Sequence, residues 1–90
     1  MTNTHELPDR VDFTTESGSH YVLSDIQSSA ASEWVRGTLD MPSRKVGRMV
    51  VAAVLPSVRS LPRVGNPFVA TVYGEDIDSL LCTTPVESID

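Results

Sequence analysis

"RVDFTTESGSHYVLS", residues 10 to 24, carries two alternating apolar runs around one glycine, and the way they pair decides the fold. Val11 and Phe13 share one face of the first run, with Asp12 and Thr14 on the other, which is the two-residue period of a strand. After the glycine, Tyr21 and Leu23 again fall on one face. A two-residue Ser17–Gly18 loop sets Phe13 against Val22 but Val11 against Ser24. A three-residue loop, Glu16–Ser17–Gly18, sets Phe13 against Tyr21 and Val11 against Leu23. A one-residue slip turns every side chain to the opposite face, so register follows the buried pairs and the longer loop is expected. That loop also places Gly18 third, where a type I turn followed by a bulge takes a positive φ.

The same stretch invites two chemical readings, and neither holds. A phosphate loop needs several glycines leading into a helix N-terminus, whereas here one glycine leads into a strand. A serine nucleophile needs a histidine within reach of its hydroxyl and a third group to orient the imidazole. Ser19 and His20 are adjacent on a strand and point to opposite faces. Ser17 and His20 can meet across the turn, but no orienting acid is specified. The stretch reads as a hairpin turn.

Beyond the hairpin, "SDIQSSAASEWVRGTLD" (24 to 40) is ambiguous. Ser24 with Gln27 fits a capping box, and Ile26, Ala30 and Trp34 recur at helical spacing. Four serines between 24 and 32 and the strand-like "EWVRGTL" oppose a helix, so a loop or short turn over 25–31 and a strand over about 32–38 are expected. "DMPSRKVG" (40 to 47) reads as a polar loop. "RMVVAAVL" (48 to 55) is apolar on both faces, which suits a strand central to a curled sheet. Pro56 and Pro62 break the long connection that follows. "FVATVY" (68 to 73) is a further strand, and "SLLCTTPVESI" (79 to 89) closes the chain, with Pro85 confined to an edge or bulge. About six short strands without a firm helix predict an all-β domain, a small barrel or sandwich of SH3-like size. An α+β arrangement with a helix near 25–36 is the alternative. Residues 1–9 are expected to form a loose arm and 10–90 one domain, since 90 residues are too few for two cores.

Several landmarks resemble a family of short actinobacterial and actinobacteriophage proteins of unknown function. They are "FTTESGSHYVL" (13 to 23), "WVR" (34 to 36), "VGNPFVA" (64 to 70) and "TTPVESI" (83 to 89). Thr84 stands where that pattern more often has serine, which keeps the hydroxyl, and the run 48–55 has no counterpart in it. The resemblance implies a small β-rich phage or prophage accessory protein, and it implies neither an activity nor catalytic residues.

Composition narrows the function classes. Apolar residues make up 40% and charged residues 21%, an ordinary globular balance. No basic and apolar leader opens the chain, and "MVVAAVL" (49 to 55) is far shorter than the roughly 20 residues of a membrane span. A cytoplasmic location in a bacterial host is therefore expected. Cys82 lies in the apolar "LLC" and reads as a buried small hydrophobe. His5 and His20 are the only histidines, and "EDID" (75 to 78) lacks the ligand spacing of a calcium loop, so neither a metal nor a cofactor is expected. No base, nucleophile and oxyanion donors can be assembled, which points away from an enzyme.

Charge is the most informative remaining feature. Residues 1–35 carry six acids and one base, 36–63 carry six bases and one acid, and 64–90 carry five acids and no base. The net charges of −5, +5 and −5 give the chain's −5. Three readings fit: internal charge pairing, docking of a host or phage protein or of a second copy, and a phosphate-backbone patch over 44–63. The net acidity and the scarcity of aromatics for base stacking weigh against the last, which stands as the alternative function. Candidate partner-binding residues are Trp34, Arg36, Arg44, Lys45, Arg48, Arg59 and Arg63. Trp34 has two readings, centre of the core or exposed anchor beside Arg36. The leading expectation is a non-enzymatic protein–protein interaction module that also self-associates.

Overall fold

A computed structural model describes residues 8–28, 34–56, 60–74 and 78–90. Six strands follow one another in order: β1 (Arg10–Thr15), β2 (His20–Ser28), β3 (Val35–Ser43), β4 (Gly47–Leu55), β5 (Pro67–Tyr73) and β6 (Asp78–Ile89). Each pairs antiparallel with the next, and β6 pairs with β1, so the sheet closes into a six-stranded barrel. Closure removes the free edges that an open sheet of this length would expose.

The β1–β2 register is the one that the apolar pairs dictate, with Phe13 opposite Tyr21 and Val11 opposite Leu23. Gly18 has φ of +91°, and the turn is tied by backbone bonds from the Thr15 N–H to the Ser19 carbonyl and from the Gly18 N–H to the Thr15 carbonyl, each 2.9 Å. Inside the barrel Phe13 stacks on Tyr21 with ring centroids 5.2 Å apart and meets Phe68 at 5.0 Å. Leu23, Val35, Leu39, Leu55, Val72 and Val86 fill the rest, so the interior is a packed core rather than a channel. Thr15 is the one buried polar side chain among the described residues, and its hydroxyl meets the Ser17 hydroxyl at 3.0 Å.

Three expectations are corrected. The alternative helix near 25–36 is absent from the described part of that span, because β2 continues to Ser28 through a bulge. Asp25, with φ of +52°, takes up the extra residue between Ser24 and Gln27, and pairing resumes with Gln27 opposite Arg36. Where a loop is expected over 25–31, residues 25–28 are strand, and 29–33 lie outside the described residues. The polar stretch 40–47 is mostly strand. β3 and β4 pair from Val35–Leu55 up to Ser43–Gly47, leaving a three-residue tip of Arg44, Lys45 and Val46. Pro42 is tolerated because β2 pairs with β3 only as far as Asp40, so no ladder bond is asked of it on that side. Cys82 is exposed, opposite Val69 on the outer surface, where alternation along β6 puts it while Leu81 packs inward.

Past those limits the β3–β4 hairpin runs as a two-stranded arm. β5 pairs with β4 only at Ala52–Val54, so β4 residues 47–51 have no partner on β5, as β3 residues 41–43 have none on β2. Met41 and Met49, opposite each other, pack the arm's inner face against the core. β6 changes partner along its length, pairing with β5 up to Pro85 and with β1 from Val86 onward. Pro85 sits at that change, and its carbonyl accepts the Glu16 N–H at 2.9 Å.

Candidate functional site

Trp34 does not centre the core. It is half-buried just ahead of β3, outside the core cluster, and the Arg36 guanidinium lies 5.1 Å above its ring. Strand alternation fixes this, since Val35 between them points inward and is fully buried. Trp34, Arg36 and Val54 line an open recess of about 200 Å³. A guanidinium over an indole is a favourable cation–π arrangement that also holds the arginine's donors at a defined place.

That recess is one end of a larger apolar face. The register sets Arg36 beside Val54, Val54 beside Thr71 and Thr71 beside Leu80, a single row across β3, β4, β5 and β6. A second row runs from Thr38 through Ala52 and Tyr73 to Asp78. Leu80 is 69% exposed and Tyr73 44%, and Val50 lies outward on β4 as well. From its sequence, 48–55 is apolar on both faces and is expected as a strand central to a curled sheet or barrel. Met49, Val51, Ala53 and Leu55 do face the core, but Val50, Ala52 and Val54 face outward, the first two exposed and Val54 half-buried beside Trp34 and Arg36. The signal for this face was present in the run itself: a strand with apolar residues on both faces needs something to cover each of them.

The basic candidates are not gathered with that face. Arg44 and Lys45 occupy the arm's tip, and Arg48 on the arm is paired with Asp40 across the hairpin, Nε to Oδ1 at 3.0 Å with Nη2 on Oδ2. Arg63 is exposed on the β4–β5 connection, and Arg59 lies outside the described residues. The only acid of the basic segment therefore neutralises one of its own cations. Between the arm and the β1–β2 turn lies an open cleft of about 420 Å³ lined by Ser17, Gly18, Ser19, His20, Pro42 and Arg48. His20 Nδ1 is 3.2 Å from the Thr14 hydroxyl, and no carboxylate orients its ring among the described residues.

Among the described residues, no group of three or more His, Cys, Asp or Glu is placed to hold a metal. No helix there is long and apolar enough to cross a membrane. No protein-family model, curated protein or solved structure matches the chain.

Proposed function

We propose that this barrel is a non-enzymatic interaction module that docks another protein on the outer face of β4, β5 and β6, with Trp34 and Arg36 as its anchor. The supporting observation is the continuous outward row Arg36, Val54, Thr71 and Leu80, with the exposed Leu80 at one end and the arginine stacked on Trp34 at the other. A ligand for it pairs an apolar side chain, seated in the Trp34–Val54 recess, with a carboxylate for Arg36. Burying tryptophan and arginine together is the usual way that a small patch gains most of its binding energy. The hairpin's likeness to short actinobacteriophage proteins supports a phage or prophage accessory role in the host cytoplasm. Nucleic-acid binding through 44–63 draws less support, because the described cations lie at the arm's tip, in an ion pair and on a distant connection.

Affinity capture from bacterial lysate with nuclease tests this reading, using wild type, Trp34→Ala and Leu80→Lys side by side. The expected result is a nuclease-resistant protein held by wild type and lost from both variants. Retention of the same protein by both variants, or recovery of nuclease-sensitive material alone, overturns it.

A further inference from the structure

The arm's tip and the β6–β1 seam are opposite in sign and opposite in position. The tip carries Arg44, Lys45 and, as its last residue, Val46, which is 64% exposed. Arg48 follows two residues later, partly neutralised by Asp40. In a closed ring of six strands, the β3–β4 hairpin lies three strand steps from the seam where β6 meets β1. Strands alternate in direction, so β3 runs toward the tip and β1 runs the same way. β1 therefore starts, and β6 ends, at the end of the barrel away from the tip.

That far end is acidic. Asp9 and Asp12 stand at the start of β1, and Glu87 and Asp90 at the end of β6, with the Asp90 N–H on the Asp12 carbonyl at 2.9 Å. Arg10 neutralises Asp12 alone, through a bidentate contact of 2.7 and 3.1 Å. Ile89, 41% exposed, lies next to Asp90, whereas the exposed Val64 is bridged to Val86 farther along the seam, where β6 meets Thr15 at the end of β1. One surface is thus an exposed apolar residue beside cations, and the other an exposed apolar residue beside carboxylates. Arg63, next to Val64, is the one cation on that side besides Arg10 among the described residues.

We propose that a second copy of this chain occupies the seam: the arm tip of one copy seats on the β6–β1 seam of the next, head to tail. Two different patches facing opposite ways make a heterologous contact, which propagates to a ring or a filament rather than closing as a two-fold dimer. The net charge of −5 works against gathering copies, so the sign separation must supply the attraction locally. The contact uses none of the outer-face residues, so it stands or falls separately from the docking function proposed above.

Charge exchange tests the contact, read by light scattering after size exclusion on nuclease-treated protein. An arm variant, Arg44→Glu with Lys45→Glu, has like charges on both surfaces, as does a seam variant, Glu87→Lys with Asp90→Lys. Wild type is expected to exceed the monomer mass and to lose that excess as salt rises from about 0.1 M to about 1 M, where screening shortens from roughly 10 Å to roughly 3 Å. Each variant alone is expected to be monomeric, and an equimolar mixture of the two to associate again, because each then offers the other a complementary surface. Circular dichroism confirms the fold of both, and Arg44→Gln with Lys45→Gln replaces the arm variant if the reversal unfolds it. A monomeric wild type at the lower salt, association of either folded variant alone, or a mixture that stays monomeric overturns the proposal.

Discussion

Two glycines in this barrel are needed for unrelated reasons, and substitution separates them. Gly18 has open space around the position of a Cβ, so only its φ of +91° resists a side chain. Gly18→Ala is expected to cost about 1 kcal/mol, the left-handed penalty partly offset by a stiffer unfolded chain. Gly37 has no such φ, but a Cβ there would lie 2.7 Å from the Ser24 carbonyl oxygen and 3.2 Å from Leu23 Cδ1. The first of these atoms is backbone beside the β2 bulge and cannot swing away, so Gly37→Ala is expected to cost more, about 2–3 kcal/mol. Urea titration of the two variants checks the order. The aromatic residues divide the same way. Phe68→Ala empties the centre of the core and is expected to lose about 3–5 kcal/mol, a large share of a small domain's stability. Trp34→Ala is expected to stay folded, with unfolding midpoints by circular dichroism separating the two.

At the scale of elements, legibility followed how local the deciding contacts are. The β1–β2 hairpin could be read to the residue because Phe13–Tyr21, Val11–Leu23 and Gly18 all lie between residues 11 and 23 and agree. The arm could not, because Pro42, Ser43 and Arg44 look like loop residues and are strand or tip only through pairing with 47–51. Residues 25–28 misled for a similar reason, since a bulge at Asp25 breaks the alternation that would have marked a strand. Trp34 and Arg36 stand out in the sequence and Leu80 does not, because only the barrel's register sets Leu80 in one row with Arg36. On β1, the Arg10–Asp12 pair carries a prediction of its own. The hydrogen bonds from Arg10, with its charge, hold the Asp12 carboxyl below the ordinary carboxylate range and raise Arg10. A depressed folded value means that this contribution is present above the unfolded pKa and is lost as pH falls through the folded one. Asp12→Asn is therefore expected to be less stable than wild type near neutrality and equal to it in strong acid. Arg10 is exposed and Asp12 only half-buried, so solvent screens the pair, the gap is small, and denaturant midpoints across the acid range measure it.

Across the described residues the chain is a meander whose first and last strands pair, and that topology makes the order of the strands separable from the fold. Ile89 lies opposite Phe13, and the Asp90 N–H bonds the Asp12 carbonyl, so residues 8 and 90 can be joined by a hairpin-like linker of about 3–5 residues. A circular permutant of residues 8–90 opened between Lys45 and Val46 cuts only the arm's tip, where no core side chain sits and the turn's bonds are those of Lys45 and Val46 N–H to the Ser43 hydroxyl. It is expected to fold to the same barrel, with the thermal midpoint lowered by a few degrees as the β3–β4 pairing becomes long-range. Opening instead between Ser17 and Gly18 breaks the turn that satisfies buried Thr15 and that meets β6 through the Ser17 N–H to the Thr84 hydroxyl and the Glu16 N–H to the Pro85 carbonyl. That permutant is expected to be the less stable of the two by about 1–3 kcal/mol, the cost of hydrogen-bonding groups left unpaired beside a core. The tip-opened form also severs Arg44 and Lys45 from Val46, leaving the barrel whole and the arm without its closed end. It should therefore keep the barrel's circular dichroism and elute as a monomer, which couples the one feature that leaves the barrel, the arm, to assembly rather than to stability.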